Sequence, residues 1–178
     1  MGANELLPRQ LKLNVRCRCG YNLRGICVTR ACPECGKSIE GVLKGVPLPI
    51  LDQRREDRVN TVRLNLAPIA KKSNRPVDAF LFLLDAYDYT RNLTGTHDRL
   101  SAHDLCYGKQ EYALAYFSGD VAEARAALKE WEMSWSEDIG GMVSALIEAG
   151  WMGRAEKDKL KDFVDVFTPD TLFAGDAS

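Results

Sequence analysis

Four cysteines near the N-terminus constrain this chain more than any other feature. They come as two close pairs, Cys17-Arg18-Cys19-Gly20 and Cys32-Pro33-Glu34-Cys35-Gly36. Thiolates held at tight turns are ligands for zinc, which takes four of them tetrahedrally at about 2.3 Å in a closed structural site. A knuckle turn needs a residue tolerant of φ > 0 after each pair, and Gly20 and Gly36 stand there. Pro33 fixes φ inside the second turn. The second pair has Cys-x-x-Cys spacing. The first is Cys-x-Cys, with Arg16 where the outer thiol would ordinarily be. Cys17, Cys19, Cys32 and Cys35 are the expected ligands of one structural Zn²⁺, with Cys27 of the intervening loop as an alternative fourth ligand. A Cys17–Cys19 disulfide is disfavoured, because residues so close hardly reach bridge geometry.

The run Cys-Gly-Tyr-Asn-Leu-Arg-Gly (19–25) followed by Cys-Pro-Glu-Cys-Gly (32–36) resembles a short zinc ribbon at the head of many bacterial proteins. That ribbon normally opens with Cys-x-x-Cys-Gly-Tyr-x-Leu-Arg-Gly, so this chain departs only at the first cysteine. The resemblance implies zinc binding through Cys19, Cys32 and Cys35, and implies no particular partner.

A ribbon of this size cannot build a core of its own and needs the metal as a staple. The whole chain has 178 residues, enough for one further medium domain. Six cysteines without a signal-peptide pattern point to a reducing compartment, and the longest apolar run, Ala79–Leu84, is far short of a membrane span. The expectation is a cytoplasmic protein. Its near-neutral net charge hides an asymmetry: residues 1–75 hold 15 Lys and Arg against 6 Asp and Glu, and residues 76–178 hold 9 against 19. Such a division hints at separate partners for the two halves, or at a basic front packed on an acidic back.

Along the chain, Leu11-Lys12-Leu13-Asn14-Val15-Arg16 alternates like a strand. Residues 1–10 read as loose. Gly41, Gly45, Pro47 and Pro49 make Ile39–Leu51 an extended linker, and the charged run Asp52–Arg58 reads as a solvated linker or a helix turn rather than a binding patch. Val62, Leu64 and Leu66 alternate like a strand, and Pro68 suits the first turn of a short helix to Lys72. From Pro76 the periodicity is helical. A first helix carries Val77, Phe80, Leu81, Leu84 and Tyr87; Phe82 and Leu83 widen this stripe, so the helix is expected to be central and buried on most sides, with Gly95 as its stop. A second is capped by Ser101, a third by Asp120, and a fourth by a Ser134-Trp135-Ser136-Glu137 capping box. Gly140-Gly141 inside the fourth costs about 1 kcal/mol per glycine relative to Ala, which close approach by another helix would justify. A last helix, about Arg154 to Phe167, is expected to bury Leu160, Phe163, Val164 and Phe167. The fold class is therefore mainly α. A small irregular or β zinc ribbon (1–40) leads through a Gly/Pro and charged linker (41–58) into a compact acidic domain of five or six helices (59–173).

Pro76-Val77-Asp78-Ala79-Phe80, Leu100-Ser101-Ala102-His103-Asp104-Leu105, Trp131-Glu132-Met133 and Glu137-Asp138-Ile139-Gly140-Gly141-Met142-Val143 resemble, in that order, a family of small bacterial proteins of unknown function. The match covers about residues 75–168 and implies a compact helical domain. It brings no catalytic residues. Arg99 stands where that family has His, with His97 two residues away, and Glu132 where it has Gly.

Function follows from what the residues permit. The fourth helix has the look of a helix-turn-helix recognition helix, but it carries Glu137, Asp138 and Glu148 and no base, which phosphate contact requires. The ribbon is the better nucleic-acid candidate: Arg16, Arg18, Arg24, Arg30 and Lys37 surround the metal, with Lys44 beyond them and Tyr21 either a stacking ring or a cover for the small zinc core. His103 and Cys106 sit three apart on a helix, but no third partner or oxyanion loop accompanies them. No phosphate loop, dinucleotide fingerprint or His-Glu-x-x-His occurs. The expectation is a non-enzymatic protein with no small-molecule substrate and no membrane partner. Its ribbon docks RNA, DNA or a ribonucleoprotein, and its helical domain meets a protein partner or a second copy. A purely protein–protein adaptor is the alternative.

Overall fold

Leu11, Leu13, Val15 and Cys17 are buried, while Asn14 and Arg16 between them are exposed. The alternation read from the sequence thus sets one face of an extended segment against a core. This segment lies in a computed structural model that describes residues 9–48, 53–96, 99–153 and 159–173. No continuous strand forms among them. Three isolated antiparallel bridges, Gln10–Cys27, Arg16–Asn22 and Ala31–Ser38, fold residues 9–38 into a ribbon around Leu23, Val28 and Ile39.

The rest of the molecule is helical: α1 (Ile39–Lys44), α2 (Gln53–Lys72), α3 (Val77–Thr94), α4 (Ala102–Tyr116), α5 (Val121–Glu130), α6 (Ser136–Glu148) and a 3-10 turn, Leu160–Phe163. Two of these lie where the sequence suggested extended or solvated chain. In α1, Ser38 caps Gly41 N–H (3.3 Å) and Ile39 and Leu43 are buried, so local capping and burial override the nearby Gly and Pro signals. In α2, one 20-residue helix replaces the expected strand and short helix, with Pro68 in its interior. Its buried residues, Leu66 and Ala70, with Val62 and Ile69 half-buried beside them, follow helical spacing. Leu64, counted in the strand alternation, is 75% exposed.

α3 and α4 form the centre. α3 ends at Gly95 in the left-handed conformation (φ 66°), as its glycine predicted. Phe80, Phe82, Leu83, Ala86 and Tyr89 are buried and Val77, Leu81, Leu84 and Tyr87 half-buried, so α3 is covered on most sides, as the widened stripe predicted. α4 begins at Ser101, whose hydroxyl accepts the Asp104 N–H at 3.0 Å. It packs on α3, α5, α6 and the 3-10 turn, so it buries residues all round, from Leu105 and Cys106 to Tyr112, Ala113 and Leu114. Asp120 caps α5 through Glu123 N–H (2.9 Å), as expected. The cap of α6 differs from the expected box. Trp135 is the cap residue, and the Asp138 carboxylate accepts its N–H at 3.0 Å. Ser136, one step inside, is buried and accepts the Val166 N–H at 3.2 Å.

The expected last helix is not formed over the described residues. Phe163 and Phe167 are buried, as predicted, but Leu160 is 61% and Val164 51% exposed. The segment makes one 3-10 turn and then reverses at Asp165 (φ 56°), which breaks the helical stripe that would have buried all four. It is instead laced across the helices by Tyr107 Oη to Val166 O (3.1 Å), Ser136 N–H to Phe167 O (3.3 Å) and Arg125 to Leu172 O (2.7 Å). Expectations for residues 1–8, Arg154, His97 and the tail after Phe173 fall outside the described residues. Among those described, no helix is long and apolar enough to cross a membrane.

Candidate metal centre

The two cysteine pairs are presented by two turns of different length. In the first, Gly20 N–H closes on Cys17 O at 2.8 Å, and Cys17 N–H pairs with Tyr21 O at 2.9 Å. In the second, Gly36 N–H reaches Cys32 O at 2.9 Å, and Cys32 N–H pairs with Lys37 O at 2.8 Å. The first loop is one residue tighter, which is how Cys-x-Cys performs the task of Cys-x-x-Cys. Both glycines have left-handed φ, 93° at Gly20 and 69° at Gly36, a conformation costly for any residue with a Cβ.

The turns bring Cys17, Cys19, Cys32 and Cys35 together, with every Sγ within 4.8 Å of the others. The closest pairs run across the knuckles: Cys17–Cys35 at 3.4 Å and Cys19–Cys32 at 3.6 Å. Four thiolates about 2.3 Å from one tetrahedral ion stand about 3.8 Å apart. The donor set and its spacing therefore fit a single metal ion bound by four sulfurs. Cys17 and Cys32 are buried and Cys19 and Cys35 exposed, so the centre sits at the rim of the ribbon core. Cys27 is not part of it; its sulfur lies 3.2 Å from Thr29 Oγ1.

The thiols do not behave alike without an ion. The backbone N–H of Cys19, helped by the neighbouring thiols against desolvation, brings Cys17 down to about 7. At Cys19 the Tyr21 N–H favours the thiolate, but desolvation and the three adjacent sulfurs outweigh it and push the group up to about 12. Negative charge crowded into so small a volume is resolved either by retained protons or by a cation.

Around this centre Arg16, Arg18, Arg24, Arg30 and Lys37 are exposed and Tyr21 is half-buried against the ribbon core. Arg16 donates to Gly20 O at 3.2 Å and so braces the first knuckle. Lys44 pairs with Glu40 within α1. Arg9 turns to the helices instead, and Lys12 and Arg24 come close enough to His103 of α4 to act on it. Arg9 is buried and forms a two-pronged ion pair with Glu111 of α4, with Nε to Oε1 at 3.1 Å. Its segment reads as loose in the sequence, but Arg9 is held by Glu111 and Gln10 by its bridge to Cys27; nothing local marks an arginine that pairs across 102 positions.

Of the His103–Cys106 pair, Cys106 is buried and His103 half-buried. Burial pushes the Cys106 thiol up to about 12, and a protonated thiol is a poor nucleophile. The His103 ring packs on Tyr107 at 4.6 Å, and burial, with Arg24 nearby, holds it below its ordinary value. In comparisons with known proteins, no family model, curated protein or solved structure matches the chain. The two family resemblances rest on the motifs that carry them.

Proposed function

We propose that this is a non-enzymatic zinc protein whose ribbon is a docking module for nucleic acid or a ribonucleoprotein surface. The observation that carries the reading is the convergence of four cysteine sulfurs on one point, which makes a closed, all-thiolate site. Such sites bind Zn²⁺ structurally and keep no open position for catalysis. The metal's role is to fix two knuckles whose outer surface is rich in exposed arginine. Arginine and lysine displayed on a rigid support neutralise phosphates, and the half-buried Tyr21 supplies a ring for a base to stack on.

The test is a titration of the full chain against generic RNA and duplex DNA at low and moderate salt. Binding is expected to weaken steeply with salt, and to weaken further in the combined Arg18→Glu, Arg30→Glu and Lys37→Glu variant. Binding that ignores salt, or survives the triple charge reversal, removes the nucleic-acid reading and leaves the zinc site standing. A second reading has its own support. The buried Arg9–Glu111 pair, and a hydrophobic core continuous from Leu11 to Phe173, join ribbon and helices. In that adaptor reading the ribbon is a structural extension of a protein-binding domain.

A further inference from the structure

Away from the metal centre, four aromatic side chains close into a circuit. Phe82 of α3 lies 4.9 Å from Trp131 and 5.9 Å from Tyr116 at the end of α4. Tyr116 lies 4.9 Å from Phe117, and Phe117 lies 6.4 Å from Trp131, between ring centroids. Phe82 is buried and makes the floor, Phe117 and Trp131 are half-buried, and Tyr116 is 51% exposed. The rings meet at tilted or edge-on angles of 38° to 84°, so they pack edge against face, with Phe82 covered and Tyr116 reaching the surface. Tyr116, with half-buried Trp131 and Phe117 beside it, is the ring that a group at this surface would meet, and a cation–π contact reaches about 6 Å.

The electrostatics around it suit a cation. Glu130 and Glu132 flank Trp131, and both are exposed. Asp85, one turn on from Phe82, accepts the Tyr112 hydroxyl at 3.5 Å, and the Tyr112 ring lies 4.9 Å from Phe82. Glu132 also faces Arg75 at 4.0 Å, and Lys129 is the basic neighbour in sequence. The half of the chain that builds this surface carries 19 acidic against 9 basic residues.

We propose that this circuit is a docking point for an arginine side chain presented by a basic polypeptide partner. A guanidinium is planar, stacks on aromatic faces and is less strongly hydrated than an ammonium. The platform is shallow, with Tyr116 half in solvent, whereas a free small molecule needs a pocket that encloses most of its surface. Exposed tyrosine and half-buried tryptophan paired with arginine is also the chemistry enriched at the energetic centres of protein interfaces. The proposal depends neither on the metal nor on the nucleic-acid reading.

The test uses the full chain and two short peptides that differ in one residue. One is Ac-Gly-Ser-Arg-Gly-Ser-amide; the other carries citrulline, the neutral isostere, in place of arginine. The chain has three tryptophans, so the Trp131 indole N–H signal in an NMR spectrum is assigned by its loss in Trp131→Phe. The arginine peptide is expected to shift that signal saturably, and the citrulline peptide to bind about tenfold more weakly or not at all. Tyr116→Ala, with its fold checked from the same spectrum, is expected to lower the arginine affinity by about threefold or more. Equal binding of the two peptides, no saturable shift, or unchanged affinity in folded Tyr116→Ala overturns the proposal.

Discussion

Gly140 and Gly141 stand side by side in α6 and have opposite reasons to be glycine. A Cβ on Gly140 would come within 2.9 Å of Phe163 Cβ, because the 3-10 turn packs directly on the helix there. A Cβ on Gly141 would meet nothing within 4 Å. Gly141→Ala is therefore expected to stabilise the protein by about 1 kcal/mol, and Gly140→Ala to destabilise it by about 1–3 kcal/mol, in paired urea melts. The sequence showed that both glycines cost helix stability. It could not separate them, because the element that approaches is a short 3-10 turn rather than the helix expected there. Lys109 was not legible at all. Its Nζ is wholly buried, donates to Met133 O at 3.1 Å and lies 4.2 Å above the Phe167 ring. Burial brings it down to about 7 from an ordinary 10.5, partly offset by Cys106 and Asp138. The folded chain thus gives up this proton before the unfolded chain does, so stability rises with pH from about 7 towards 10.5. Cys106 runs the other way: its thiol is pushed up from 9.0 to about 12, so it costs stability only above about 9. Between pH 7 and 9 the climb in denaturation free energy is expected to be smaller in Lys109→Met than in the parent. Equal slopes would contradict the buried-lysine account.

At the scale of elements, caps and stops were the legible part. Ser101, Asp120 and Gly95 act where their chemistry placed them, because capping is local and owes little to the rest of the fold. α2 was misread because Val62, Leu64 and Leu66 alternate by chance over five residues, while the true period emerges only with Ala70 and Ile69. Pro68 reinforced the error. It sits inside α2, where it removes a helical hydrogen bond and crowds the carbonyl of Leu64, at a typical cost of about 3 kcal/mol. Because Pro68 is exposed, replacing it adds a hydrogen bond without opening a cavity. Pro68→Ala is expected to raise the thermal midpoint by several degrees. A lower midpoint would mean that the proline shapes the packing of α2 on α3.

At the scale of the molecule, charge is divided between the halves and a continuous hydrophobic core joins them. Basic residues of the first half pair with acidic residues of the second, Arg9 with Glu111, Arg63 with Asp78, Lys72 with Glu148 and Arg75 with Asp138, so the basic front is in part packed on the acidic back, while Arg16, Arg18, Arg30 and Lys37 around the knuckles are exposed. The thiol pairs and their glycines were readable in the sequence, since a metal site is written as residue type and short spacing. The choice between Cys17 and Cys27 was not, because it depends on the tighter turn that closes Gly20 onto Cys17. Metal analysis of the purified full chain tests the central claim most directly. About one zinc per chain is expected, lost together with ribbon structure in Cys17→Ser and Cys32→Ser and retained in Cys27→Ser. A stoichiometry near zero with the ribbon intact, or zinc lost from Cys27→Ser and kept in Cys17→Ser, would contradict the account.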